Sequence, residues 1–134
     1  MKKILFAIII AVVGGLSVMC TSAQEKEIAI VAHRGFWNCD AAGSAKNSIA
    51  ALAQAQELGV WGSEFDVNLS EDGVLLVFHD GSVDGKRIEK NPASAFADHR
   101  LKNGERIPVI DEYLEQAKKH PETMLVYELK KHSC

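Results

Sequence analysis

The sequence lacks the motifs that mark several common enzyme classes. It has no glycine-rich phosphate loop of the P-loop type and no Gly-x-Ser-x-Gly nucleophile elbow. It also has no internal repeat, no low-complexity segment and no cysteine spacing typical of a zinc site. These absences argue against a P-loop kinase, a serine hydrolase and a zinc-binding module.

Strong charge is missing as well. The net charge is −3 over 134 residues, so the chain has no basic footprint for nucleic acid and we expect no nucleic-acid partner. The length suffices for one domain with a hydrophobic core, but it is short for a large barrel. The composition is ordinary for a soluble globular protein and indicates neither disorder nor a collagen-like repeat.

The amino terminus has the layout of a secretory signal. Lys2-Lys3 precedes an apolar run from Ile4 to Val18, and small polar residues follow it. We therefore predict a signal peptide over residues 1–23, a mature domain over residues 24–134, and export to the periplasm or the extracellular space. The alternative is a retained membrane anchor, but the apolar run is shorter than the ~20 residues that a spanning helix needs.

The three cysteines offer two further possibilities for an exported protein, a lipid anchor and a disulfide. Cys20 offers a lipid-attachment alternative, in which the exported protein is a lipoprotein held at a membrane, although Met19 is a poor residue before a lipidated cysteine. Removal of residues 1–23 leaves Cys39 and Cys134, which an exported protein could join in a disulfide. Their spacing alone does not establish that they lie close together.

The chain is organised around the segment from Glu64 to Asp80, in which two β-prone runs flank Asp72-Gly73. An Asp-Gly pair between such runs predicts a tight hairpin. With a two-residue loop, Asp66 lies opposite His79, and opposed side chains share a face at roughly 4.5–5.5 Å. Glu64 shares this face because strand side chains alternate with a period of two. In the alternative, a parallel strand follows an extended return, and the three side chains meet at a common strand end.

A strand–helix–strand unit precedes and overlaps this segment. Its parts are a buried strand over Glu27–His33, a helix over Ile49–Leu58 that Asn47 or Ser48 can cap, and a second strand over Val60–Val67. Such units are parallel and right-handed, so we expect both strands to end at the same rim. His33-Arg34-Gly35 would then lie beside the carboxylates of the second strand.

The remainder of the chain adds a loop, a helix and a strand. Residues 81–104 are polar and carry glycines without a sustained period, which predicts an active-site loop with some short local structure. Ile110–His120 is predicted to be helical, and Met124–Leu129 to be a fourth strand. Glu128 and Lys130 share one face at the end of this strand, where the alternative interpretation is a surface ion pair.

The acidic residues at the strand ends suit a metal ion. Glu64, Asp66 and Glu128 are three carboxylates without an accompanying histidine–cysteine cluster. Oxygen ligands of this kind are preferred by hard divalent cations. We therefore predict a site for Ca²⁺ or Mg²⁺.

The basic residues near them suit a phosphate. Arg34 offers a planar fork and Lys130 a point charge, both natural partners of a phosphate group. His33 and His79 can divide general-acid and general-base duties near neutral pH. With the metal, these residues predict cleavage of a phosphate ester.

Together these residues resemble the glycerophosphodiester phosphodiesterases. The matching elements, in order, are His33-Arg34-Gly35, Asn47-Ser48, Glu64-Phe65-Asp66-Val67, Asp72-Gly73, His79-Asp80, Ile107-Pro108 and Glu128-Leu129-Lys130. The resemblance covers roughly residues 28–130 and depends on the order and spacing of many elements. It implies an α/β fold of the TIM-type (β/α) barrel, with the site at the ends of the strands.

The resemblance also implies roles and a reaction. Glu64, Asp66 and Glu128 would bind the metal, His33 and His79 would be the acid–base pair, and Arg34 and Lys130 would neutralise phosphate charge. The reaction would be hydrolysis of a glycerophosphodiester to glycerol 3-phosphate and an alcohol, in which the glycerol hydroxyl attacks first and gives a cyclic phosphate. The alternative within this chemistry is a phospholipase C-like relative acting on inositol lipids.

The sequence departs from the family in one residue and in length. Lys46 stands where the family usually has a glutamate, so we expect a different substrate preference or metal environment. A complete barrel has eight strand–helix units and ~250 residues, whereas four strands are visible here. We therefore expect residues 24–134 to be the N-terminal half of such a domain, with two exposed sheet edges that favour poor folding or self-association. The alternative function is that of an inactive, exported binding or assembly module.

Overall fold

The computed structural model describes residues 28–131. The predicted signal peptide, Cys20 and the disulfide alternative at Cys134 lie outside these residues. Within the described range, no helix combines the length and the apolarity that a membrane crossing requires. The elements in chain order are β1 (Val31–Ala32), α1 (Ile49–Leu58), β2 (Gly62–Leu69), β3 (Leu75–Val77), β4 (Ser82–Val83), β5 (Lys86–Arg87), 3-10 turns at Ile88–Lys90 and Ala93–Phe96, α2 (Ile110–Ala117) and β6 (Met124–Leu129).

Strand β2 is the centre of a four-stranded sheet. It pairs in parallel with β1 and with β6, and antiparallel with β3. Helix α1 connects β1 to β2, and α2 precedes β6, which is how consecutive units of a (β/α) barrel are joined. The predicted partial barrel is therefore confirmed. Between residues 28 and 131, β1 and β6 have no second partner, so each leaves an open edge there.

Helix α1 begins and ends where its sequence requires. Ser48 is the N-cap, and its hydroxyl accepts a hydrogen bond from the Ala51 N–H at 2.9 Å. Gly59 ends the helix in the left-handed conformation, with φ of 69°. Leu52 is buried in the core, whereas Leu58 in the last turn of the helix is exposed.

The two faces of the β2–β3 hairpin are buried in separate clusters. The cluster under the helices contains Leu52, Phe65, Val67, Val77 and Tyr113. The cluster under the loop segment contains Leu76, Val83, Ile88, Phe96 and Ile107, which explains why the long polar segment 81–104 is ordered. Because strand side chains alternate, Glu64, Asp66 and Asn68 are on the face of β2 that points away from the helices.

Strands β2 and β3 form the predicted antiparallel hairpin, but the predicted register is wrong. The alternative of a parallel strand after an extended return is also wrong. Val67 pairs with Val77, one residue out of step with the predicted register. Phe78 rather than His79 therefore lies against Asp66, and the Phe78 N–H donates to the Asp66 carbonyl at 3.0 Å. His79 reaches the site because the chain bends after β3, not because it is paired across the hairpin.

A wider loop causes this shift of register. The Ser70 N–H donates to the Val74 carbonyl at 2.9 Å, so the loop comprises the three residues Glu71–Gly73 instead of two. The Ser70 hydroxyl accepts from the Val74 N–H at 2.9 Å and donates to the Asp72 carboxylate at 2.6 Å. These bonds favour a three-residue loop with glycine in its left-handed last position over the two-residue loop.

Three element boundaries also differ from the prediction. The second strand, predicted over Val60–Val67, is β2 over Gly62–Leu69. Strand β1, predicted over Glu27–His33, comprises Val31–Ala32 in the described range; it ends before His33 because left-handed backbone at residues 34 and 35 turns the chain away from the sheet. Helix α2 ends at Ala117 instead of His120, because the last N–H groups bond three residues back in a tighter turn.

Gly35 is the point where the first strand-to-helix connection passes closest to α1. Its φ is +76°, and an added Cβ would lie 2.7 Å from the Ala51 carbonyl carbon. We predict that Gly35→Ala lowers the free energy of unfolding by about 2–5 kcal/mol, because alanine is strained at this φ and α1 must move to relieve the overlap. Urea denaturation followed by circular dichroism measures the loss.

Gly73→Ala is the matched control for this substitution. Gly73 has a similar φ of +80°, but no atom lies within 4 Å of the added Cβ. It should lose only the left-handed backbone preference, about 1–2 kcal/mol. Equal losses in the two variants would show that contact with α1 does not restrict position 35.

Candidate active site

Three carboxylates converge on one face of the β2–β6 pair, near the end of β6. Glu64 and Asp66 belong to β2 and Glu128 to β6, and the parallel register sets Asp66 beside Glu128. One carboxylate oxygen of each residue lies within 4.8 Å of the others. The structure thus brings together the three side chains that were predicted from the sequence to be metal ligands.

Asp66 is the centre of the site and is only 1% exposed. Asn47 Nδ2 donates to Asp66 Oδ2 at 2.8 Å, and Asn47 Oδ1 accepts the Asp66 N–H at 3.1 Å. Arg34 Nε lies 3.4 Å from Oδ2, and Lys130 Nζ lies 2.7 Å from Oδ1. A buried carboxylate needs such partners, since an uncompensated charge away from water is costly.

These contacts keep Asp66 and Lys130 charged at neutral pH. Burial by itself raises the pKa of Asp66, but the Lys130 ammonium and the Asn47 amide outweigh it and hold this pKa below its ordinary value. Burial likewise lowers the pKa of Lys130, but the Asp66 and Glu128 carboxylates outweigh it, and the pKa of Lys130 is raised. The site therefore holds fixed charges of both signs.

The turn after β1 brings His33 and Arg34 to the carboxylates. The Arg34 N–H donates to Glu64 Oε2 at 2.8 Å, which orients Glu64 from the neighbouring strand. The Arg34 Nε is buried and has no hydrogen-bond partner among residues 28–131. His33 Nε2 lies 3.9 Å from Glu64 Oε2, and its imidazole is largely exposed.

His79 lies in the bend after β3. Its Nδ1 lies 2.6 Å from Asp80 Oδ1. Because an ionised carboxylate only accepts, Nδ1 carries the proton and Nε2 is left as the nitrogen that can take one up. His79, Arg34 and Asn47 line one cleft of about 330 Å³. The seven predicted site residues therefore lie close together. Three of them are the carboxylates, His33, Arg34 and Lys130 lie within 4 Å of a carboxylate, and Arg34 and His79 line the adjoining cleft.

The donor atoms fit a hard divalent cation. All three candidate ligands are carboxylate oxygens, the type that Ca²⁺ and Mg²⁺ prefer. Asp66 Oδ1 is buried, and its partner among the described residues is the Lys130 ammonium at 2.7 Å. That ammonium also lies 2.7 Å from Glu128 Oε1, so positive charge is already drawn into the space between two of the carboxylates.

Two residues that support the site were not given this role from the sequence. Asn47, considered as a helix cap and as part of the family resemblance but not as a site residue, is buried with φ of 59° and joins the loop to Asp66. Glu105 accepts hydrogen bonds from the N–H groups of Ile49 and Ala50 at 2.8 and 3.1 Å, and so fixes the start of α1 from the loop segment. Because asparagine tolerates left-handed backbone, the sequence could have indicated a tight turn at Asn47. Glu105 is 55 residues from Ala50, and no local pattern pointed to it.

Comparison with known proteins gives one consistent family. The model of the Glycerophosphoryl diester phosphodiesterase family matches residues 33–130. The glycerophosphodiester phosphodiesterase of Caldanaerobacter subterraneus is 36% identical over 98 residues, which cover 64% of this chain and 39% of that protein.

Solved structures agree in fold. The crystal structure of a glycerophosphodiester phosphodiesterase from Parabacteroides distasonis has a TM-score of 0.74 and 45% identity, and the match covers 78% of this chain and 43% of that one. A phosphodiesterase from Oleispira antarctica, solved in complex with the product sn-glycerol-3-phosphate, has a TM-score of 0.62 and 29% identity over 77% of this chain and 44% of that one. The chain therefore spans less than half the length of each of these relatives.

Proposed function

Because the chain belongs to the glycerophosphoryl diester phosphodiesterase family, we propose that it hydrolyses glycerophosphodiesters to glycerol 3-phosphate and an alcohol in a metal-dependent reaction. The observation that carries this proposal is the meeting of Glu64, Asp66 and Glu128 within 4.8 Å, with two cationic side chains on Asp66. The Oleispira antarctica relative binds sn-glycerol-3-phosphate as its product, which supports the same product here.

The three carboxylates would hold the metal, Ca²⁺ or Mg²⁺. When bound, such an ion supplies charge stabilisation to the non-bridging oxygens of the phosphate. Their number matters, because the three carboxylates outnumber the two cations that contact them, Arg34 and Lys130, and so leave negative charge that a divalent ion would compensate.

Arg34 and Lys130 would neutralise the phosphodiester. The buried Arg34 Nε lacks a hydrogen-bond partner among the described residues, and a phosphate oxygen would supply one. Both cations already balance Asp66, so they are oriented before the substrate binds. This arrangement stabilises the charge that grows on the phosphate oxygens in the transition state.

His33 and His79 would move the protons. One imidazole takes the proton of the attacking glycerol hydroxyl, and the other gives a proton to the departing alcohol, so the first step yields a cyclic phosphate and a neutral alcohol. In the second step water opens the cyclic phosphate, with the two imidazoles exchanging roles. Asp80 holds the proton on Nδ1 of His79 and thereby reserves Nε2 for this exchange.

The direct test uses the purified 134-residue chain with glycerophosphoglycerol, and an enzymatic assay for released glycerol 3-phosphate. We expect release that requires Ca²⁺ or Mg²⁺, stops with a chelator and returns when the ion is restored. Cation binding without any release from glycerophosphodiesters would contradict the proposed reaction.

Lys130→Gln separates phosphate binding from metal binding. We predict a fall in kcat/KM of about ten- to a hundredfold, because a half-buried charge partner of the phosphate is lost, while affinity for Ca²⁺ is kept or increased because the ammonium no longer competes for the carboxylates. Isothermal titration with Ca²⁺ and steady-state kinetics measure the two effects.

The neighbouring Lys131→Gln is the control for Lys130→Gln. It removes the same charge from an exposed residue one position along the chain and should leave both quantities unchanged. A loss of Ca²⁺ affinity in Lys130→Gln would mean that Lys130 supports the metal site instead of competing with it.

A second candidate function, a binding or assembly module, is favoured by the surface of β6. Met124, Tyr127 and Leu129 are more than half exposed, although a strand of this kind is usually covered on both faces. Light scattering coupled to size exclusion tests it. Self-association without hydrolysis would favour the module, whereas hydrolysis by a monomer would exclude it as the main function.

A further inference from the structure

The cleft beside the carboxylates is strongly cationic. It is continuous with the candidate active site through Arg34, Asn47 and His79, which line both. Its remaining charged lining consists of Lys46, Arg100 and Lys102, with Asp80 as the one carboxylate. Asp80 accepts a hydrogen bond from His79 Nδ1 at 2.6 Å, and its single negative charge is outnumbered by the three cations.

Those three cations have no carboxylate partner in the described part of the chain. No ion pair joins Lys46, Arg100 or Lys102 to an acidic residue between positions 28 and 131. In contrast, Arg106 before α2 pairs with Glu112, and Lys118 directly after α2 pairs with Glu115. The Arg100 guanidinium is oriented by the carbonyls of its own loop, with Nη1 donating to the Ala97 carbonyl at 2.7 Å. Unpaired positive charge at the mouth of a cleft attracts anions.

Lys46 also determines which ligands the cleft rejects. Its Nζ lies 4.5 Å from the centre of the Trp37 ring, in a cation–π contact. An aromatic face of this kind would otherwise suit a quaternary ammonium group, but here a lysine already covers it. Trp37 does not itself line the cleft, so a cationic alcohol such as choline would meet the like charges of Lys46, Arg100 and Lys102 there.

We propose that this cleft receives the leaving alcohol of the substrate and selects one that carries an anionic group of its own, such as a phosphorylated polyol. This inference rests on the proposed function, since Arg34 and His79 place the scissile phosphate next to the cleft. Its volume of about 330 Å³ is sufficient for a polyol phosphate. Lys46 and Lys102 would be the specificity-determining residues.

The kinetic test compares three glycerophosphodiesters that differ only in the leaving alcohol: choline, glycerol and inositol 4-phosphate. We expect kcat/KM to rise in that order, with about a tenfold difference between the cationic and the anionic alcohol. In Lys46→Gln/Lys102→Gln the difference should fall to about twofold or less, because each exposed ion pair contributes a factor of roughly 1.5 to 5. Lys118→Gln, which removes a charge from α2, is the matched control and should keep the wild-type preference.

A binding test distinguishes failure of this inference from failure of the proposed function. Inositol 4-phosphate is titrated into the Ca²⁺-loaded chain, the double variant and Lys130→Gln. We expect binding to weaken severalfold in the double variant and to persist in Lys130→Gln, whose charge serves the scissile phosphate.

Hydrolysis without preference for the anionic alcohol, or with a preference that the double variant keeps, would overturn the inference and leave the proposed function standing. If no diester is hydrolysed, the titration decides: binding that depends on Lys46 and Lys102 supports an anion-selective cleft without the proposed reaction. Binding that is absent or equal in all variants overturns the inference.

Discussion

Asp66→Asn should abolish divalent-cation binding and lower kcat/KM by about a thousandfold or more. Asp66 is the buried member of the three carboxylates and the one that both Arg34 and Lys130 contact. The asparagine removes the negative charge that a cation needs and leaves two cationic side chains facing the same space. Lewis-acid stabilisation contributes several kcal/mol, and each 1.36 kcal/mol is a factor of ten in rate.

Calcium titration calorimetry and release of glycerol 3-phosphate measure the two losses. Asp98→Asn is the control, because it removes the same charge from an exposed residue of the loop segment that does not line the site. Wild-type turnover in Asp66→Asn would exclude Asp66 as a metal ligand.

A folding defect in Asp66→Asn is a separate expectation, since two buried or half-buried cations lose their partner. Glu128→Gln therefore provides a second variant. Glu128 is 61% exposed at its side chain, so its replacement leaves the core intact. We expect a weaker calcium affinity with an unchanged thermal midpoint. An unchanged calcium affinity in Glu128→Gln would remove β6 from the metal site.

Local sequence signals were sufficient for the elements that hold most of the site. The limits of α1 follow from Ser48 and Gly59, whose preferences depend only on the adjacent backbone. The parallel β1–α1–β2 unit follows from the handedness of such crossovers. Once both strands end at one rim, the turn at His33 and Arg34 must lie near Glu64.

Features that depend on particular side-chain hydrogen bonds, near or distant in sequence, were not predictable in this way. The hairpin register is set by Ser70, whose hydroxyl competes with the shorter Asp-Gly loop. With the register shifted by one residue, His79 would lie on the face opposite to Asp66 if β3 continued. The chain bends after β3 instead, and His79 lines the cleft. The partners Asn47 and Glu105 act on residues far from them in sequence, so no periodic pattern reveals them.

The acid–base proposal gives the second large effect. We predict that His79→Asn lowers kcat by a factor of about 10²–10⁴, the range for loss of a positioned proton-transfer group, and removes one limb of the pH–rate profile. Calcium affinity should stay at the wild-type value, because His79 is not among the carboxylates that would hold the ion. Rate measurements across pH with calcium calorimetry separate these quantities.

The control for His79→Asn is His120→Asn, which removes an imidazole near the end of α2 that pairs with Glu122 and lies outside the cleft. Asparagine retains a hydrogen-bond donor toward Asp80, so the bend after β3 should keep its shape while losing the nitrogen that exchanges protons. This distinguishes proton transfer from mere support of the bend. If His79→Asn kept both limbs of the pH–rate profile and lost only affinity for substrate, His79 would bind the phosphodiester without taking part in proton transfer. The proton-transfer partner of His33 would then be another residue of the chain.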